Sequence, residues 1–259
     1  MAELELKNIT LRFGGITVLN SISLSVEKSE LLALIGPNGA GKTSVFNCIS
    51  GIYVPKGEIR FRGANICGLP PHRIAGLGIS RTFQHAELFP DMTVIDNVMT
   101  GLHAQIKSNA FLNMLKLPTA RRREEEIRAK ASQILDFVEL QSKSNTVVST
   151  MPFGLQKIVG FARALAASPT LLLLDEPSAG LTREEREDLA YYILKTKENL
   201  GIGIIWIEHD MQMVADLADR IHVLDYGSSL ADGSPDFVLR QESVVQAYLG
   251  TMNPVDVGV

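Results

Sequence analysis

Residues 31–51 read "LLALIGPNGAGKTSVFNCISG". "LLALI" is a short continuous apolar run, as in a strand buried on both faces. "KTSVFNCISG" reads as a helix closed by Gly51. Between them "GPNGAGKT", Gly36 to Thr43, fits G-x-x-x-x-G-K-[ST]. Glycines let such a loop curl so that successive backbone N–H groups face phosphate oxygens, and the positive end of the helix dipole adds to the attraction. The pattern therefore predicts phosphate binding, with Lys42 bridging β and γ phosphates and the Thr43 hydroxyl holding Mg²⁺.

Outward from this unit, "LELKNITLRF" and "ITVLNSISLSV" alternate partly between apolar and polar residues, with "FGG" as the turn between them, and "GEIRFRG" alternates again. The middle of the chain changes character. "TVIDNVMTGLHAQI" and "ARRREEEIRAKASQILDFVEL" have helical periodicity, and Arg121 and Arg122 precede Glu125 and Glu126 by one helical turn, the spacing of ion pairs on a solvated face. From residue 170 strand and helix patterns interleave: "LLLLD", "TREEREDLAYYILKTKENL", "GIGIIWIE", "DMQMVADLAD", a hairpin from "RIHVLDYG" and "SSLADG", and the short helix "ESVVQAYLG". Interleaving of this kind predicts a mainly parallel sheet in one α/β core with a helical insertion.

The run "LLLLDEP", 171–177, completes the chemistry. A buried strand ending in Asp175 brings a carboxylate to the sheet edge where open α/β folds bind ligands. Asp175 is expected to hold Mg²⁺ through water, and Glu176 to act as general base on an attacking water. A solvated strand end is the bland alternative. His209 follows the strand "GIIWIE" and is placed to reach a γ-phosphate if that strand lies near Asp175; a lone histidine is otherwise more often structural.

Composition narrows the class. The chain has 259 residues, 46% of them hydrophobic, enough for a substantial core. A net charge of −4 and a pI of about 5.8 argue against a nucleic-acid binder that works by broad phosphate neutralisation. Cys48 and Cys67 form no C-x-x-C pair, so a zinc site or disulfide framework is not expected and a reducing compartment fits. The start "MAELELKNIT" lacks the apolar region of a secretory signal, and no apolar run approaches a membrane span.

These motifs resemble the ATP-binding subunits of ABC transporters, over nearly the whole chain. "RTFQ" with Gln84 is similar to the family's Q-loop, "SAGL" (178–181) to its D-loop, and "IEHDM" carries the H-loop His209. Phe13 in "LRFGG" sits where the family stacks an aromatic ring on adenine; a core strand residue is the other reading. In the family "LSGGQ" opens a helix and caps the ATP of the opposite subunit. Aligned without gaps, Met151, Pro152, Phe153, Gly154 and Leu155 stand in those five places, and "ARAL" downstream keeps the register. Pro152 removes a hydroxyl and a backbone donor from this cap, while Gly154 still allows close approach. The alternative is a plain helix start with Pro152 near its first turn.

The resemblance implies an ABC-type P-loop ATPase: an α/β fold with a mainly parallel core sheet, an antiparallel β subdomain and a helical insertion. Residues 1–259 are expected to form a single ABC ATPase domain, with core and β subdomain from 1–88 and 166–259 and a helical subdomain from about 89–165. ATP and Mg²⁺ are the implied cofactors. Implied nucleotide contacts are Phe13, Gly36, Pro37, Asn38, Gly39, Ala40, Gly41, Lys42, Thr43 and Ser44, with Pro152, Phe153, Gly154 and Leu155 acting on the partner's nucleotide. Glu176, His209 and Gln84 are the implied catalytic residues, and Thr43, Gln84 and Asp175 the metal-binding ones. "GISRTFQ", "IEHDM" with "DRIHVLDYG", and "VVQAYLG" are most similar to one of the two ATPase subunits of branched-chain amino-acid importers, a group that also includes transporters for urea, amides and aromatic acids. The expected function is ATP hydrolysis that powers uptake of amino acids or related small solutes. The expected partners are a second ATPase subunit, two transmembrane permease subunits and an extracytoplasmic solute-binding protein, with no nucleic acid, at the cytoplasmic face of the plasma membrane. An exporter ATPase, a soluble non-transport ABC ATPase and a non-catalytic nucleotide-binding module are the competing classes.

Overall fold

The structure, a computed structural model, describes residues 2–82, 87–102 and 118–249. Its strands are β1 (Leu4–Phe13), β2 (Ile16–Val26), β3 (Leu31–Ile35), β4 (Lys56–Phe61), β5 (Ala64–Asn65), β6 (Ile79–Thr82), β7 (Leu171–Asp175), β8 (Gly203–Ile207), β9 (Arg220–Asp225) and β10 (Ser228–Gly233). The helices are α1 (Lys42–Ile49), α2 (Pro71–Gly76), α3 (Val94–Leu102), α4 (Pro118–Phe137), α5 (Phe153–Ala166), α6 (Arg183–Leu200), α7 (Met211–Leu217), α8 (Pro235–Val238) and α9 (Glu242–Leu249). An antiparallel sheet runs β2-β1-β4-β5, and a larger sheet runs β10-β9-β3-β8-β7-β6. The larger sheet is parallel throughout except for the β9–β10 hairpin. That hairpin turns on Tyr226 and Gly227, both at positive φ (41° and 75°), as a two-residue turn matched to strand twist requires.

Strands β3, β7 and β8 are buried at every position. Their alternate side chains point to opposite faces, so each face needs its own cover. Leu172, Leu174, Ile204 and Trp206 join one cluster with Val94, Val98, Leu135, Val159 and Ile193 from the helices α3 to α6. Leu171, Leu173, Ile205 and Ile207 join another with Val45 and Phe46 of α1 and with Leu6, Leu19 and Leu24 of the antiparallel sheet. The parallel sheet is thus the middle layer, and α1 lies between it and the antiparallel sheet.

Four elements depart from the sequence expectation. β6 carries three polar residues in four and shows no apolar run, so periodicity does not mark it; its place is set by pairing with β7. Helix α2 and strand β5 are likewise too short to show a period. The expected helix over 120–140 ends at Phe137 instead, because Glu139 turns to a φ of 58°. On that helix Arg122 stands 3.7 Å from Glu126 with both side chains exposed, as a solvated face implies; the expected Arg121 pairing lies outside the described residues.

Helix α6 opens with a capping box. Glu185 N–H donates to Thr182 Oγ1 at 3.3 Å, and Thr182 N–H donates to the Glu185 carboxylate at 2.9 Å. This fixes the chain leaving the sheet edge through Ser178–Leu181. Thr182→Ala should lower folding stability by about 1 kcal/mol. The urea midpoint measures it; an unchanged midpoint would mean the box contributes nothing.

Candidate functional site

The parallel register brings three strand ends level. Leu34 of β3 and Asp175 of β7 both stand opposite Ile207 of β8. The glycine-rich loop, the Asp175–Glu176 pair and the Glu208–His209 pair therefore leave the sheet at one edge.

The loop is held from two sides. Gly36 has a φ of 146°, and a Cβ there would lie 2.0 Å from the Leu224 carbonyl oxygen of β9. Gly41 has a φ of 103°, with Leu19 and Val18 of β2 against it. Gly227 in the β9–β10 turn donates its N–H to Ala40 O at 3.0 Å, and its carbonyl accepts from Asn20 N–H at 2.7 Å. Tyr248 of α9 approaches from below: burial pushes its hydroxyl up to about 12, against a hydrogen bond at the Gly36 backbone. Helix α1 starts from Gly41 with no side-chain cap, so its dipole end faces the loop.

Inside the loop Lys42 is buried, and its Nζ donates to the carbonyls of Gly36 (2.6 Å) and Pro37 (3.0 Å). Burial lowers its pKa, while the carboxylates of Glu176 and Asp175 oppose that shift. Asp175 is buried, and its Oδ2 accepts from Arg81 Nη2 at 2.7 Å. Glu176 takes a left-handed φ of 46°, its N–H bonded to Ile207 O, and its Oε1 lies 2.8 Å from His209 Nε2. His209 thus meets the carboxylate next to Asp175, as its position after β8 allowed. Gln84 lies outside the described residues.

Phe13 ends β1 at the hairpin tip and is 47% exposed, edge-on to Tyr53 at 5.0 Å. The ring is therefore half exposed at the end of the strand and is not enclosed in the core.

Pro152 is the N-cap of α5, its carbonyl accepting from Gln156 N–H. Phe153 is exposed, Met151 buried, and Leu155 half-buried against the helical cluster. Gly154 is buried, and a Cβ there would meet the Glu185 carboxylate of the same chain, with Oε1 at 2.2 Å. Gly180, in "SAGL", packs on the Phe153 ring. Residues 153–154 and the stretch from "SAGL" to Glu185 are thus one packed unit.

Several participants were not foreseen from the sequence. Glu208 is buried, accepts from Ser178 Oγ at 2.6 Å and takes its own neighbour His209 N–H at 2.8 Å, so it fixes the histidine's entry. Lys157 of α5 is buried with its pKa lowered by burial, opposed by Glu176 and Glu208. Leu224, Gly227 and Tyr248 wall the loop. Each depends on a partner distant in the chain, and no local pattern marks it.

The donor set fits a nucleotide with Mg²⁺. Among the described residues no group of three or more His, Cys, Asp or Glu side chains is placed to hold a metal. Asp175 with the Thr43 hydroxyl suits a hard cation that keeps waters and takes phosphate oxygens. The loop and uncapped α1 suit the phosphates themselves.

Gly154→Ala should force the Glu185 side chain off its capping position and cost roughly 1 kcal/mol of stability. Urea unfolding checks this; an unaltered midpoint would show that Glu185 swings aside freely.

Residues 19–179 match the family model described as ABC transporter. The chain is 40% identical over 248 residues to the high-affinity branched-chain amino acid transport ATP-binding protein BraF of Pseudomonas aeruginosa, covering 95% of this chain and 97% of that protein. It is equally similar to LivG of Escherichia coli K12, which carries the same description. Among solved structures, a nucleotide-free ATP-binding cassette from an ABC transporter is 30% identical and superposes with a TM-score of 0.84, covering 96% of this chain and 99% of that one. An ATP-binding cassette in its ADP conformation gives a TM-score of 0.85 at 30% identity, with the same coverage. With the fold, the loop and the sheet-edge carboxylates in agreement, this chain belongs to the ABC transporter family as an ATP-binding cassette.

Proposed function

We propose that this chain is the ATP-hydrolysing subunit of a membrane importer for branched-chain amino acids or related small solutes. The names of BraF and LivG support the solute class. The observation that carries hydrolysis is the pairing of Glu176 with His209 at 2.8 Å, one residue beyond the buried Asp175.

In this reading Lys42 exchanges the Gly36 and Pro37 carbonyls for β and γ phosphate oxygens. Backbone N–H groups of the loop through Ser44 surround the phosphates, and Phe13 stacks on adenine. Thr43 and Asp175, with Gln84, would hold Mg²⁺, which offsets charge on the phosphate oxygens when bound. Glu176 accepts the proton of the attacking water, and His209 orients that carboxylate from its other side toward the γ-phosphate. Pro152 to Leu155 are offered to the nucleotide of a second cassette. A dimeric cassette bound to ADP and Pi, 25% identical, supports the pairing of two cassettes.

In this reading the chain acts as one ATPase domain with a helical subdomain at about 89–165, to which α3, α4 and α5 belong among the described residues. A cavity of about 370 Å³ between β6, α2, α3 and α5, lined by Arg81, Thr100, Lys157 and Arg163, supports docking of a permease subunit there. Two permease subunits and an extracytoplasmic solute-binding protein complete the transporter at the cytoplasmic face of the plasma membrane. No described helix is long and apolar enough to cross a membrane, which fits a peripheral subunit held by its partners.

Glu176→Gln should leave ATP binding intact and slow hydrolysis by ~10²–10⁴. Phosphate release against calorimetric ATP affinity separates the two; turnover near the parent rate would remove Glu176 as the base and this reading with it. Phe13→Ala should weaken ATP binding by about 1–3 kcal/mol. Because the ring is half exposed, the melting temperature without nucleotide should stay unchanged. A lower melting temperature with unchanged affinity would reverse the assignment.

A further inference from the structure

We infer that Arg81 is a positioning residue for the metal: it balances the charge of Asp175 and thereby sets how tightly Mg²⁺ is taken. The inference rests on the reading of Asp175 as the metal-binding carboxylate. Arg81 and Asp175 are each 8% exposed at the side chain, and Nη2 reaches Oδ2 at 2.7 Å. The guanidinium is held from two further sides. Nη1 donates to Asn47 Oδ1 of α1 at 2.7 Å, and the Phe46 ring lies 5.4 Å away. Its backbone stands in β6, in register with Leu173 of β7, two residues short of Asp175. So Arg81 joins the strand that leads toward Gln84, the helix that starts at Lys42, and the carboxylate itself.

A buried carboxylate without a cation is strongly unfavourable. Lys42 bonds to the Gly36 and Pro37 carbonyls, so the contact to Asp175 falls to Arg81. Mg²⁺ arriving at Asp175 then meets a carboxylate already neutralised, and a fixed positive charge opposes it at close range. Removing that charge leaves a buried anion for which Mg²⁺ is the best remaining partner. Two effects of opposite sign follow: the nucleotide-free protein loses stability, and the nucleotide complex gains affinity for the metal. A guanidinium that only braces the fold would produce the first effect without the second.

The test compares Arg81→Met, Arg81→Lys and Asp175→Asn by titrating Mg²⁺ into the ADP-loaded protein, and by melting each protein without nucleotide. Arg81→Met should bind Mg²⁺ about tenfold more tightly and melt lower, with Mg²⁺ and ADP together restoring much of the loss. Arg81→Lys should stay near the parent in both measurements. Should Arg81→Met fail to accumulate, Arg81→Gln removes the charge while keeping an N–H donor, and carries the same expectation. Metal affinity that is unchanged or weaker in the uncharged variant overturns the inference. Asp175→Asn tests the underlying reading separately: if it leaves Mg²⁺ affinity unaltered, Asp175 is not the metal carboxylate at all.

Discussion

The register between β3, β8 and β7 is the constraint on which the rest of the molecule depends. Leu34, Ile207 and Asp175 lie in line across three buried strands. The glycine loop begins two residues after the first, Glu208 one residue after the second, and Glu176 one residue after the third. A slip of one residue in any of these strands would exchange the side chains of its two apolar faces, so that shapes fitted to one cluster would meet the other. Leu172 and Leu174 would lose the helical cluster, and Leu171 and Leu173 the cluster under α1. The packing that forbids the slip also aligns the chemistry. Stability and function are decided here by the same contacts.

The glycine loop was legible because all its requirements are local. A strand, six residues of loop and a helix start lie in one stretch, and spacing alone describes them. "LLLLDEP" was legible for the same reason. The parallel sheet and helical insertion followed from the change of periodicity along the chain. What escaped was set by partners far away in sequence. Arg81 lies within "RTFQ", and the carboxylate it meets is 94 residues on. Glu208 ends a strand, and its partner Ser178 is 30 residues earlier. Strand β6 is polar and brief, so only its neighbour reveals it. Phe13 admitted two readings because a strand tip and a strand core share one residue pattern; exposure separates them.

The segment Met151 to Leu155, read from the sequence as a cap on another subunit's nucleotide or as a plain helix start, also has specific contacts within its own chain. The missing side chain of Gly154 makes room for Glu185, and the Phe153 ring leans on Gly180. Glu185 in turn closes the capping box of α6. Small size at position 154 therefore has a cause within the chain itself. Helix α5 and the turn before α6 are packed together, and a change in either reaches the other through one carboxylate.

The walls of the glycine loop come from opposite ends of the chain. Val18 and Leu19 stand on one side, Leu224 and Gly227 on the other. The same closure is repeated at the foot of β3, where Leu31 N–H donates to Asp219 across 188 residues. During synthesis the phosphate motif emerges early, yet no N-terminal fragment that stops short of residue 227 contains the groups that shape it. The loop's form depends on both halves of the sequence, so a fragment that ends before residue 227 has the motif without the groups that wall it on one side.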